Sequence, residues 1–353
     1  MPNSSRKVPP PRNTERNGLQ KWLAGLPKAE LHLHLEGAIP LDTLWSLIKR
    51  HGGDPSVPTK EDLRQQLTYS DFPEFIEKWI WKNSFLRTYD DFSFISEEVA
   101  RDLLRQNILY AELFFSPSRF ADRGLTVIGL AEAIRKGLDK VPGCEIWLIA
   151  DLVRDHGPKQ AAITLAEVAK ARNYGIVGIG IGGSEHQFPP EPFAEVFTKA
   201  RRLGLKTSAH AGEASGANSV RGAVQSLLVD RIGHATHAED DPELLQLLAD
   251  RQIPLELCPL SNVATGTIKS ISDHPVRRYW DLGLLVTVNT DDPGMFHNRL
   301  VDEYIHLLET FHFELRDIRK LVLNALTSSW RPKTTSKPLY KLFSDHPGWQ
   351  LPQ

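Results

Sequence analysis

Histidines and carboxylates stand in this chain at spacings that suit a metal-assisted reaction. His32 and His34 are one residue apart in an apolar run, and alternate residues of a strand point to the same side, so both imidazoles can face one metal ion. Zinc prefers imidazole nitrogen together with a carboxylate oxygen, and a catalytic zinc site keeps one position open for water. Three more groups of suitable residues follow along the chain: His210 with Glu213, His234, and Asp291 with Asp292.

The predicted strands bring these residues to one place. Eight short apolar runs alternate with amphipathic stretches, which is the pattern of repeated βα units around a parallel sheet. Eight units close a (β/α)8 TIM barrel, an α/β fold whose active site lies at the C-terminal ends of the strands. The candidate residues lie at or just after the C-terminal ends of runs one, five, six and eight, so we expect them to converge. The runs are residues 29–35, 108–116, 145–153, 176–182, 205–211, 231–235, 254–259 and 285–289.

The stretch between the first two strands is far longer than a normal crossover. Extra helices are therefore expected after strand one, at about residues 41–105, and apolar spacing predicts two of them at 71–82 and 89–105. Aromatic residues in this insertion either form an apolar lid over the barrel mouth or only pack the insertion onto the barrel. They are Phe72, Phe75, Trp79, Trp81 and Phe85.

A single domain is expected over residues 18–335, with a C-terminal tail at 336–353. Residues 1–17 are rich in Pro, Ser, Asn and Arg, a composition that predicts a disordered leader and lacks the apolar centre of a signal peptide. No apolar run reaches the roughly 20 residues that span a bilayer. Cys144 and Cys258 are too few for a disulfide framework. We therefore expect a cytoplasmic protein without a membrane partner.

Composition narrows the class of partner. Of the 353 residues, 41% are hydrophobic and 24% are charged, as in globular proteins with a sizeable core. The formal net charge is -2, so the chain has no excess of Lys and Arg for binding a nucleic-acid backbone. A small-molecule partner is expected instead, and the oligomeric state stays open.

Five segments of the chain look like the signatures of the adenosine deaminase family, and the resemblance runs over about residues 26–330. In order they are PKAELHLHLEG, SAHAGE, RIGHATHA, LELCPLSN and VTVNTDDP. The resemblance implies one zinc ion per chain, completed by a water, and Ser261 of the fourth segment would steady one ligand, the Asp291 carboxylate. The implied zinc ligands are His32, His34, His210 and Asp291.

The same resemblance implies roles around a purine ring. His234 would orient and deprotonate the attacking water, and Glu213 would serve N1. Asp292 would hydrogen-bond N7, and the backbone N–H of Gly183 would reach N3. The reaction implied is the hydrolysis of the 6-amino group of adenosine or a related adenine nucleoside, giving an inosine-type product and ammonia. The expected catalytic residues are Glu213, His234 and Asp291, and the expected substrate contacts are His34, Glu36, Gly183 and Asp292.

Chemistry explains why these residue types are needed. An aromatic amine leaves only after C6 becomes tetrahedral and N1 gains a proton. Zinc lowers the pKa of a bound water from about 15.7 toward about 7. Glu213 must carry or share the proton for N1, and burial in a dry pocket would raise its pKa in that direction.

Two other classes of protein share some of these features with a mononuclear deaminase. A binuclear amidohydrolase usually carries a bridging lysine or carboxylate on strand four, and residues 176–183 contain none. A catalytically silent nucleoside-binding relative would be expected to lack a metal ligand or to carry a secretion signal, and neither feature is found. One zinc ion and an active enzyme are therefore preferred.

The exact substrate stays open at this point. Glu36 replaces the aspartate that meets the ribose 5'-hydroxyl in adenosine deaminases, and the HLEG segment resembles adenine deaminases and deaminases of 5'-modified adenosines such as 6-aminodeoxyfutalosine. Adenine deaminases tend to carry Asp before the strand-six histidine, whereas this chain has Gly233 before His234. A nucleoside is favoured over free adenine.

Overall fold

A computed structural model of the protein describes residues 13–350. Eight parallel strands follow one another around a single sheet in chain order, which confirms the predicted (β/α)8 TIM barrel. Each strand lies within two residues of its predicted limits. The strands are β1 (Lys28–His34), β2 (Ile108–Phe115), β3 (Glu145–Asp151), β4 (Ile176–Gly180), β5 (Lys206–Ala211), β6 (Arg231–His234), β7 (Leu255–Leu257) and β8 (Val286–Val288).

Helices pack around the sheet and cover its ends. Within residues 13–350 no helix combines the length and apolar character needed to cross a bilayer. The α-helices are α1 (Asn13–Gly25), α2 (Leu41–Arg50), α3 (Lys60–Gln66), α4 (Phe72–Asn83), α5 (Tyr89–Arg105), α6 (Val127–Leu138), α7 (Gly157–Lys170), α8 (Ala194–Arg202), α9 (Ala217–Gly222), α10 (Pro242–Arg251), α11 (Pro259–Ala264), α12 (Val276–Asp281), α13 (Pro293–Phe296), α14 (Leu300–Thr310), α15 (Leu315–Ser328) and α16 (Lys333–Ser344).

The insertion after strand one consists of α2 to α5, as predicted. Helix α5 begins with a capping box, in which the Thr88 side chain accepts from the Asp91 backbone and the Asp91 side chain accepts from the Thr88 backbone. Such a box satisfies amide groups that the first helical turn leaves unpaired. Its apolar residues recur every three or four positions and are buried, which fixes the helix on the barrel. They are Phe92, Ile95, Val99 and Leu103.

Both chain ends differ from the predicted boundaries. Residues 1–12 of the expected leader lie outside the described residues, while residues 13–17 already belong to α1. Lys28 holds the C-terminal end of this helix, because its ammonium donates to the carbonyls of Leu23, Ala24 and Leu26. In the expected C-terminal tail, α16 crosses the predicted boundary at residue 335 and buries Phe343 completely. Residues 351–353 lie outside the described part of the chain.

The barrel closes between β8 and β1 with little regular pairing. Among residues 13–350, a single bridge joins Leu33 to Asp291 across this seam. Side chains supply further hydrogen bonds that a strand ladder would otherwise make. Asn289 Oδ1 accepts from the backbone N–H groups of Leu31 and His32, at 2.8 and 3.2 Å, and Glu30 Oε1 accepts from Thr290 N at 2.6 Å.

Candidate active site

The four residues expected to hold zinc meet at the C-terminal ends of β1, β5 and β8. His210 Nε2 lies 3.0 Å from His32 Nε2 and 3.1 Å from His34 Nε2. Asp291 Oδ1 lies 3.6 Å from His32 Nε2 and 3.3 Å from His34 Nε2. Four ligands held tetrahedrally at the usual zinc distances are roughly 3.3 to 3.6 Å apart. The spacing of these donor atoms therefore fits one metal ion.

The protonation of the cluster also fits a cation. Burial lowers the pKa of His32 and His210 well below its ordinary value, so both rings are neutral and can offer a lone pair. Burial raises the pKa of Asp291 well above its usual range, and the neighbouring Asp292 and Glu213 add to the rise. Because buried carboxylates need compensating charge, a divalent cation suits this set of donors.

Two neighbouring side chains orient the ligands. His32 Nδ1 lies 2.8 Å from Glu256 Oε2, so the carboxylate fixes the ring proton on Nδ1 and leaves Nε2 facing the cluster. Ser261 Oγ donates to Asp291 Oδ2 at 2.7 Å, which is the contact expected from the sequence. Asp291 itself has a left-handed backbone, with φ of 68°. A non-glycine residue tolerates that conformation only where its surroundings impose it.

His234 and Glu213 stand beside the cluster. His234 Nε2 lies 3.4 Å from Glu213 Oε2 and 3.9 Å from Asp291 Oδ2. On the other side of the ring, Nδ1 lies 3.2 Å from the Asn262 amide nitrogen, while the Asn262 carbonyl accepts from the Thr236 hydroxyl at 2.8 Å. Because the Asn262 amide N–H donates to Nδ1 in this arrangement, Nδ1 carries no proton. The neutral imidazole therefore has its proton on Nε2, which faces the pocket.

Glu213 lies on a turn whose backbone amides donate hydrogen bonds to the carboxylate of Glu185. Glu185 accepts from the backbone N–H groups of Gly212 at 2.6 Å, Glu213 at 3.0 Å and Ala214 at 2.7 Å. Burial raises the pKa of Glu213 to about 8, with the negative charges of Glu185 and then Asp292 as further causes. The Glu213 carboxyl can therefore retain a proton near neutral pH. Sequence reasoning missed Glu185, and its place in the GGSE segment beside Gly183 was the available signal.

The expected purine contacts line one pocket with the metal cluster. Gly183 has φ of 106°, and a Cβ built there would fall 1.9 Å from Asp155 Oδ2, so only glycine fits. Asp292 Oδ1 accepts from Trp79 Nε1 of α4 at 3.2 Å. The pocket is lined by His34, Gly183, His210, Glu213, Asp291 and Asp292 from the barrel, and by Phe72, Phe75, Ile76 and Trp79 from the insertion.

The aromatic residues of the insertion divide between the two expected roles. Phe72, Phe75 and Trp79 cover the pocket, whereas Trp81 and Phe85 pack edge to face on each other, with ring centroids 5.5 Å apart. A larger cavity of about 810 Å³ lies at the opposite end of the barrel, and none of the four expected zinc ligands lines it.

Glu36 departs from the expectation that its side chain reaches the pocket. It is completely buried and does not line the pocket, because Oε1 accepts from the backbone N–H of Ser116 at 2.9 Å and turns the side chain toward β2. Ser116 itself lines the pocket. Glu36 Oε2 has no hydrogen-bond partner among the described residues. Glu36 thus lies next to the wall of the pocket, with one free acceptor.

Known proteins resemble this chain over most of its length. The family model of adenosine deaminase matches residues 27–345. An aminodeoxyfutalosine deaminase of Streptomyces avermitilis is 36% identical, with 88% of each chain covered. An adenine deaminase of Bordetella avium is 35% identical, with 88% of this chain and 99% of the relative covered. The crystal structure of an amidohydrolase from Burkholderia ambifaria with bound Zn has a TM-score of 0.82 and 27% identity, covering 92% of this chain and 93% of the other. The chain therefore belongs to the adenosine deaminase family and is a hydrolytic deaminase.

Proposed function

We propose that the protein removes the exocyclic 6-amino group of an adenine nucleoside in a zinc-dependent hydrolysis, with one zinc ion per chain. The observation that carries this proposal is the convergence of three imidazole nitrogens and one carboxylate oxygen beside a buried carboxyl, Glu213, whose pKa is raised to about 8. The zinc-bound relative from Burkholderia ambifaria supports the choice of metal. A catalytically silent relative has no need of that carboxyl.

The residues of the chain divide the work of the reaction. Zinc held by the four ligands supplies a water of lowered pKa. His234 would orient that water by donating to it from Nε2, and the predicted deprotonation of the water by this ring requires the other tautomer, with the proton on Nδ1. Glu213 donates its proton to N1 of the ring, and the Gly183 N–H donates to N3. Asp292 is the expected partner of N7, an acceptor, so this contact requires a proton on the Asp292 carboxyl. Phe72, Phe75 and Trp79 exclude solvent, which strengthens each of these polar contacts.

A nucleoside is the favoured substrate, and free adenine or a 5'-modified adenosine such as 6-aminodeoxyfutalosine is the second candidate. The relatives support both, since they include aminodeoxyfutalosine, adenine and adenosine deaminases. Loss of the adenine absorbance, measured with adenosine, 2'-deoxyadenosine, adenine, 5'-modified adenosines and AMP, tests the proposal. Failure of all of them to release ammonia from zinc-replete enzyme would overturn it.

Replacing Ser261 by alanine is expected to weaken zinc binding by roughly 10- to 100-fold, because a metal ligand loses the hydrogen bond that orients it. Competition with a chromophoric chelator measures the affinity. Ser96→Ala is a matched control, since Ser96 is also fully buried but its hydroxyl has no hydrogen-bond partner among residues 13–350. Equal zinc affinity in the Ser261 and Ser96 variants would show that Ser261 does not orient a metal ligand.

Replacing Glu36 by alanine is expected to lower kcat/KM for the preferred substrate by roughly tenfold to 150-fold, as for a lost hydrogen bond to a charged group. Glu36 Oε2 can accept from a hydroxyl at the 5' end or from N9–H of adenine only if the side chain leaves the Ser116 amide and turns into the pocket, which it does not line here. An analogue without that donor should be barely affected, and Glu36→Asp should shift preference toward plain adenosine. Equal losses for every substrate would assign Glu36 to holding Ser116 instead.

A further inference from the structure

A second cleft, of about 120 Å³, adjoins the active-site pocket. Trp79 and Arg119 line both, so these two side chains form the boundary between them. Asn83, Arg123 and His156 also line the cleft, and no Asp or Glu does. A recess with two guanidinium groups and an imidazole, but without a carboxylate, is electrostatically suited to an anion.

Among residues 13–350, Arg119 is the one arginine or lysine that lines the active-site pocket. Its guanidinium lies over the Trp79 ring, 5.1 Å from the centroid, and has neither a hydrogen-bond nor an ion-pair partner among residues 13–350. The carboxylate of Asp155 lies near enough for its charge to interact with Arg119, but it accepts from the backbone N–H and the hydroxyl of Ser184, at 3.0 and 2.6 Å, rather than from the guanidinium. The fork of Arg119 is therefore free to receive an oxyanion in bidentate fashion.

Asn83 gives an independent sign that the cleft receives a ligand. Its side chain is only 3% exposed, yet neither its amide nitrogen nor its amide oxygen has a partner within the described part of the chain. Buried amide groups are normally paired, because an unpaired one costs free energy. The backbone around it is held, since Arg123 Nη1 donates to the carbonyls of Asn83 and Leu86 at 2.8 and 2.7 Å.

We propose that this cleft binds an oxyanion, a carboxylate or a phosphate, carried at the 5' end of the adenine nucleoside that is deaminated in the adjoining pocket. Arg119 and Arg123 supply the charge, and the Asn83 amide gains a hydrogen-bond partner when the anion binds. This inference rests on the proposed function, since it names the class of substrate for the same site. It assigns the cleft to specificity, with no part in the chemical step.

The test compares substrates that differ in one charge. The acid 5'-deoxy-5'-(carboxymethylthio)adenosine and its methyl ester form the carboxylate pair, and AMP with adenosine forms the phosphate pair. In the wild-type enzyme, kcat/KM is expected to be at least about tenfold higher for the anion of one pair, as charge-assisted hydrogen bonds contribute. Whichever pair responds identifies the anion. That ratio should fall as salt is added, because screening weakens the attraction.

Arginine variants provide the second part of the test. Arg119→Gln is expected to bring the ratio of anion to neutral substrate close to one. Arg123→Gln should also lower this ratio, although it loses the hydrogen bonds to the carbonyls of Asn83 and Leu86 as well as the charge. Arg316→Gln, a matched variant whose side chain is 79% exposed on α15, should leave that ratio unchanged. A wild-type ratio near one in both pairs, or a ratio that neither variant alters, would overturn the anion site. Release of ammonia from the neutral substrates in that case would leave the proposed function standing, whereas inactivity toward every compound would overturn the function itself.

Discussion

Replacing Glu213 by glutamine is expected to lower kcat by at least about 10²-fold while the zinc content stays unchanged. The amide keeps the shape of the side chain and can keep its place on the turn held by Glu185, but it cannot donate a proton to N1 as an acid does. Glu213 is three positions from the nearest expected ligand, His210, so the metal shell stays intact. Steady-state kinetics and elemental analysis of the same preparation measure both quantities.

The pH dependence of kcat is a second test of the role of Glu213. The carboxyl must be protonated to act as an acid, and burial raises its pKa to about 8. Wild-type kcat is therefore expected to fall as the pH rises through the pKa of Glu213, and the glutamine variant should lack this descending limb. Glu195→Gln, at an exposed site on α8, is the control. Near-normal kcat in a zinc-replete Glu213→Gln enzyme would show that this role is wrongly assigned.

Replacing His210 by alanine is expected to remove most of the bound zinc, which should be about one ion per wild-type chain. Activity should fall by more than the roughly 10²-fold expected for loss of a single acid or base, because activation of water depends on the metal. His210 Nε2 lies next to both histidines of β1, so its loss removes one of the four donors of the cluster. Metal analysis after dialysis, with thermal unfolding to confirm that the variant folds, makes the measurement.

His306→Ala is the matched control for that experiment, because His306 is a half-buried histidine on α14 outside the metal cluster. It should retain both zinc and activity. Two ions per wild-type chain, or undiminished zinc in the His210 variant, would contradict the assignment of the ligands.

Much of this architecture could be predicted from the sequence because the relevant signals are local. Buried parallel strands appear as short apolar runs, so all eight were placed within two residues. Because the C-terminal ends of parallel strands meet at one end of a barrel, the same pattern predicts that His32, His34, His210 and Asp291 lie together. The insertion was predictable because a crossover so long cannot be a plain loop.

Other features depend on contacts between distant parts of the chain. Glu256 looks like an ordinary residue of a short strand, and only the closed barrel places it against the Nδ1 of His32. Glu185 acts through three backbone amides that lie 27 to 29 positions away. The side chain of Glu36 does not line the pocket as expected, because strand alternation predicts its side of the strand but not its hydrogen bond from the Ser116 amide. Hydrogen bonds between residues so far apart in the chain leave no local pattern in the sequence.

The seam between β8 and β1 has a consequence for how the protein is made. Leu31 and Asn289, which hydrogen-bond across it, are 258 positions apart, and three of the four expected metal ligands lie on either side: His32, His34 and Asp291. During translation β1 leaves the ribosome long before β8. His32 and His34 are therefore made before the barrel can close and before Asp291 is present. The proposed zinc ion would therefore find its four ligands together only at a late stage of folding, after Asp291 has emerged. Such an ion would link the two ends of the sheet, and its affinity for the closed barrel would add to the stability of that closure.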